Sequence, residues 1–125
     1  MPTPIVLQAN DVKIPAILND TVAARAFYKR LPFTASGYRY SFEYCCRTAC
    51  GVFDPSETQS GWKNGDIGLA SGWFAVFFGG EGISAAYRGM MIIAHIDDRH
   101  LPLVKSLPES VRFTVKAAGE QPGPL

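Results

Sequence analysis

The sequence predicts a mainly β protein: a closed or nearly closed antiparallel barrel with one α-helix and one short helical turn. Three observations predict it. Short apolar runs bounded by turn-forming residues recur along the chain, one stretch alternates with a period of two, and only one long segment combines helical spacing with a cap and a stop. A protein of many strands and few covering helices has exposed sheet edges unless the sheet closes on itself.

Taken in order, Pro4 to Gln8 and Val12 to Leu18 are apolar runs separated by Ala9-Asn10-Asp11, which reads as a hairpin. Pro15 cannot donate to a ladder, so the second strand is expected to be an edge or to carry a bulge. Asn19, Asp20 and Thr21 are candidate caps for a helix over Val22 to Leu31, ended by Pro32. Its spacing turns Ala23, Ala26, Phe27 and Leu31 to the core and leaves Arg25 and Lys29 in water, with Phe27 as the main anchor.

From Tyr38 the pattern alternates, with Tyr38, Tyr40, Phe42 and Tyr44 on one face and Arg39, Ser41, Glu43 and Cys45 on the other. Burying Arg39 and Glu43 unpaired is costly and burying aromatics is favourable, so the aromatic face is expected inside. Asp54 to Gly65 is a polar loop around Trp62. Ile67 to Ala70 and Trp73 to Phe78 flank Ser71-Gly72 as a tight hairpin. Trp73 to Phe78 is apolar on both faces, which implies a core on one side and a covering segment or an aromatic groove on the other. Gly79 to Gly89 reads as a loop and Met90 to Ile96 as a strand. Asp97 and Asp98 cap a short helical piece with Leu103, Val104 and Leu107 inward. Val111 to Val115 closes the sheet, and 119–125 is expected to be a flexible tail.

A chain of 125 residues with 47% hydrophobic and 18% charged residues is expected to form one domain over 1–125. The formal charge of +1 gives no field to steer the chain to nucleic acid or anionic lipid. The first residues carry no basic leader, and no apolar run reaches the roughly 20 residues that span a bilayer, so a cytoplasmic location is expected. Cys45, Cys46 and Cys50 are crowded and odd in number, which argues for reduced thiols over a disulfide framework. With His95 and His100 far along the chain, no metal site and no cofactor are expected.

Other constellations have ordinary explanations. Gly80-Glu81-Gly82-Ile83-Ser84-Ala85 fits a dinucleotide-binding pattern, but only four residues separate it from the next strand, too few for a parallel crossover. His95, in an apolar strand, is expected to bond to backbone and not to act as a base. Trp62 and Tyr87 are aromatics in loops, suited either to packing down on the barrel or to making contacts.

Leu18-Asn19-Asp20-Thr21, Phe27, Leu31-Pro32-Phe33-Thr34, Gly65-Asp66-Ile67, Phe77-Phe78-Gly79 and Met91-Ile92-Ile93, in that order, resemble the bacterial and archaeal cyclophilin-like proteins, small barrels without an established activity. The resemblance covers roughly residues 4 to 116. It implies an eight-stranded barrel with a groove on its outer surface, where cyclophilins isomerise the bond before proline. The cyclophilin stretch Phe-His-Arg-Ile-Ile-Pro-Gly-Phe corresponds here to Tyr38-Arg39-Tyr40-Ser41-Phe42-Glu43, so only Arg39 carries over.

The leading functional expectation is a non-catalytic binding module for a small molecule or peptide, with Arg39, Glu43, Trp62, Phe77 and Tyr87 as binding residues and no catalytic residues. A peptidyl-prolyl isomerase is the enzymatic alternative. A homo-oligomer whose apolar outer faces form the subunit interface is the structural one.

Overall fold

The computed structural model describes residues 2–118, so the expected tail over 119–125 lies outside the described residues. Eight antiparallel strands close in the order β1-β2-β7-β5-β6-β4-β3-β8, where β1 is Thr3–Ala9, β2 Val12–Leu18, β3 Phe33–Tyr40, β4 Glu43–Arg47, β5 Asp66–Ala70, β6 Trp73–Phe77, β7 Ile92–His95 and β8 Ser110–Ala117. Helix α1 spans Val22–Tyr28 and α2 spans Leu101–Lys105. The predicted barrel class is therefore the observed one. Among the described residues no helix is long and apolar enough to cross a membrane.

The first hairpin turns on Asn10, whose φ of 55° is the left-handed conformation that asparagine tolerates. Ile5, Leu7 and Ala9 on β1 and Ile14, Ala16 and Leu18 on β2 point inward, with Leu7 paired to Ile14. β2 meets β7 only at Ile17 and Leu18, so Pro15 sits on a stretch with no partner on that side, as its missing N–H suggests. Asn19 extends this short seam: its backbone N–H donates to the carbonyl of Ile93 at 2.8 Å and its side-chain amide to that of Ile92 at 2.7 Å.

Helix α1 starts where the Thr21 hydroxyl accepts the N–H of Ala24. It is shorter than the predicted Val22 to Leu31, and Ala24, not Ala26 or Leu31, joins Ala23 and Phe27 in full burial. Phe27 packs on Phe33 and Phe74, with ring centroids 4.8 and 5.9 Å away. Arg25 and Lys29 are exposed as predicted. In α2, Leu101 and Val104 are buried, followed by Leu107, whereas Leu103, expected inside, is exposed.

The alternating stretch is the main correction. It is not one strand but the end of β3, a turn at Ser41-Phe42 and the start of β4, with Tyr40 paired to Glu43 and Tyr38 to Cys45. The face of β3 is fixed upstream, where Phe33 and Ala35 are buried. Gly37, the next residue of that parity, has no room for a Cβ, which would run into the Cys45 carbonyl. Tyr38 and Tyr40 are therefore outside, 53% and 63% exposed, and Arg39 points to the barrel end. Arg39 is not the unpaired buried cation that the predicted register was meant to avoid. Its guanidinium donates to the Tyr44 hydroxyl at 2.9 Å and to the carbonyls of Leu107 and Lys105 at 2.9 and 3.1 Å, and it lies over the rings of Tyr44 and Phe78. The turn restores the predicted faces on β4: Tyr44 and Cys46 lie inside, Glu43 and Cys45 outside.

Candidate functional site

Four adjacent strands, β3, β4, β6 and β5, present an outer face whose residues fall into cross-strand rows. One row runs Tyr38, Cys45, Ala75, Gly68; the next begins Tyr40, Glu43, Phe77; the row on the other side includes Arg47, Trp73 and Ala70. Small residues in the middle row between large aromatics in the flanking rows leave a trough. The resulting groove holds about 480 Å³, with Ala75 and Gly68 in its floor and Tyr38, Tyr40, Trp73, Phe77, Arg88 and Met90 among the residues around it.

Its polar groups are few. Glu43 is half-buried between Tyr40 and Phe77, and burial raises its carboxyl above the ordinary value, partly offset by a hydrogen bond from Cys45. The Cys45 thiol is pushed up to about 12, first by burial and then by the Glu43 charge, so it remains a neutral thiol. Cys45 and Cys46 diverge as adjacent strand residues must, Cys45 to the groove and Cys46 into the core, while Cys50 is exposed. Among the described residues no three His, Cys, Asp or Glu side chains gather to hold a metal ion.

Of the predicted binding residues, the structure places Glu43 and Phe77 in the groove. Trp62 lies beside it, 5% exposed, with its ring stacked 4.3 Å from Phe77 and its N–H donated to the Gly79 carbonyl. It is the covering residue that the two-sided apolarity of β6 required, since Ala75, Phe77 and Ile92 pack outside the barrel against it. Tyr87 is exposed and leans on Trp62, with centroids 5.3 Å apart. Arg39 lies outside the groove. Sequence reasoning missed Tyr38, Tyr40, Trp73 and Arg88, although the small residues Gly68 and Ala75, paired across a two-residue turn, were a legible sign of a depression.

The loops around the groove hold each other. Asn64 and Glu81 exchange backbone-to-side-chain hydrogen bonds, and buried Ser84 accepts the N–H of Trp62. Gly80 has a φ of 80° and sits where a Cβ would enter the Phe42 ring. The glycine-rich stretch is thus a 3-10 turn over Glu81–Ala86 leading to an antiparallel strand, not a dinucleotide crossover. His95 bonds not to backbone but to Asp66, Nδ1 to Oδ1 at 2.8 Å, across the β5–β7 pairing. A second Asp66 oxygen accepts the Lys63 N–H, and the pair borders a separate cavity of about 330 Å³ with no serine or cysteine in its lining.

Comparison with known proteins agrees with this architecture. The structure of McbB in complex with tryptophan superposes with a TM-score of 0.68 at 11% identity, over 95% of this chain and 46% of that one, so the chain spans under half of McbB. The solution structure of a hypothetical protein from Archaeoglobus fulgidus superposes with a TM-score of 0.66 at 15% identity, over 94% of this chain and 95% of that one. At such identities the likeness is one of fold. No curated protein matches in sequence. The sequence matches the profile of the cyclophilin-like family over residues 7–116, and the chain belongs to that family.

Proposed function

We propose that the protein is a non-catalytic binding module that takes a small, largely apolar molecule in the outer groove. The carrying observation is the groove itself: an aromatic-walled trough of about 480 Å³ containing one half-buried carboxylate, the usual recipe of an apolar pocket with a few polar groups. McbB, a structural neighbour, has been solved with tryptophan bound, which supports a ligand of that size. The isomerase reading rested on Arg39, and that guanidinium is committed to Tyr44 and the carbonyls after α2.

The test is a fragment screen by 1H–15N NMR. Hits are expected to move the amides of Gly68, Ala75 and Glu43, and to lose affinity at least tenfold in Gly68→Leu and Ala75→Leu, which fill the floor. Hits that map elsewhere, or that bind both variants normally, overturn the reading. A protease-coupled assay on a proline peptide is expected to show the uncatalysed rate only.

A further inference from the structure

The residues that neighbour Glu43 narrow the ligand chemistry. Glu43 is paired with Tyr40 on one side and Phe77 on the other, so its carboxylate projects from between two aromatic residues on one row of the sheet. Tyr38 and Trp73 stand in the rows beyond. Among the described residues Glu43 has no ion-pair partner, and its carboxyl shares a hydrogen bond with the Cys45 thiol. A desolvated carboxylate without a cation is costly, and aromatic faces attract cations through their quadrupoles. The carboxylate and the exposed Tyr40 ring therefore favour a cation beside Glu43 and disfavour an anion there.

The opposite edge of the groove has the opposite sign. The segment holding Arg88 and Met90 runs on into Met91, beside β5, where the Leu69 N–H donates to the Met91 carbonyl at 2.9 Å. Gly68, Ala70, Ala75 and the β6 aromatics Trp73 and Phe77 line the same groove as Arg88 and Glu43. A ligand cation is repelled at the Arg88 edge and held at the Glu43 edge, and its apolar body crosses the small-residue floor.

We propose that the groove selects small molecules with a cationic nitrogen on an aromatic or aliphatic body, the nitrogen held by the Glu43 carboxylate between Tyr40 and Phe77. This rests on the groove reading above. The discriminating experiment titrates three probes of similar shape, phenethylamine, 2-phenylethanol and 3-phenylpropionate, into the full chain, with calorimetry for affinity and NMR for location. Phenethylamine is expected to bind at least tenfold tighter than the alcohol and the carboxylate to bind more weakly than either. Glu43→Gln is expected to abolish the amine preference and leave the alcohol's affinity within about twofold. An acetylated and amidated lysine tetrapeptide distinguishes a free amine, which alone is expected to bind, from a lysine side chain displayed on a protein. Equal or tighter binding of the carboxylate, an amine preference that survives Glu43→Gln, or tighter binding of the tetrapeptide overturns the assignment while leaving the groove as a binding site. If no probe moves the Gly68 and Ala75 amides, both readings fall.

Discussion

Glu43 shows how one side chain can be kept at a cost to the fold. Its carboxyl titrates above the ordinary value because burial penalises the charged form, so the folded state holds that proton more readily than the unfolded chain does. A raised folded value contributes stability that is fully present below the unfolded value and lost as pH rises through the folded one. At neutral pH the ionised group opposes folding, and Glu43→Gln is expected to raise the melting temperature there. The advantage should shrink as pH falls through the raised folded value and be gone below the ordinary value of 4.5, where the carboxyl is protonated in both states. Tyr38, Tyr40 and Arg88 share the groove with it, and the Cys45 thiol, pushed up to about 12, does not titrate in this range. A variant less stable than wild type at pH 7, in melts across pH 4 to 8, would contradict the burial argument.

At the scale of elements, the end of β3 depends on α2. Arg39 joins the Tyr44 hydroxyl to the carbonyls of Lys105 and Leu107, and Tyr44 itself donates toward Leu107 and Pro108, so the strand end and the chain after the helix share one network. Arg39→Ala removes the donor to the buried Tyr44 hydroxyl and to the Lys105 carbonyl, leaves the Leu107 carbonyl to Tyr44 alone, and is expected to cost about 1.5 to 3 kcal/mol in chemical denaturation. Lysine should not restore it, because a point charge cannot serve several acceptors in the fork geometry of a guanidinium. A loss under about 0.5 kcal/mol would show that the network is decorative. This network also explains where sequence reasoning stopped. The alternation from Tyr38 to Cys45 was legible as extended chain, but its facing depended on two things that local pattern does not show. Phe33 and Ala35, five and three residues before Tyr38, set the parity, and two of the acceptors of Arg39 come from residues 105 and 107. The first hairpin, the α1 cap, the β5–β6 turn and the strand from Val111 to Val115 were readable because each depends on neighbours in sequence. The groove was half readable: Glu43 and Phe77 were found from the polar and apolar faces of their strands, while Tyr38, Tyr40 and Trp73 enter it only through cross-strand rows.

For the whole molecule, the β2–β7 seam sets how the barrel moves. Seven paired positions join β1 to β2, but two join β2 to β7, and the line is continued by the two donations from Asn19 to Ile93 and Ile92. A ring fails at its shortest join, so fluctuations that expose backbone should start there, as sub-global openings with a smaller free energy than complete unfolding. Under native hydrogen–deuterium exchange the amides of Leu18, Asn19 and His95 are expected to exchange ahead of those of β1 and β8. Asn19→Ala should speed this group further and leave the β3–β8 ladder unaltered. Uniform protection around the ring would refute the idea. If the order holds, one asparagine amide acts as a clasp, and the protein breathes along a seam one strand removed from the groove floor.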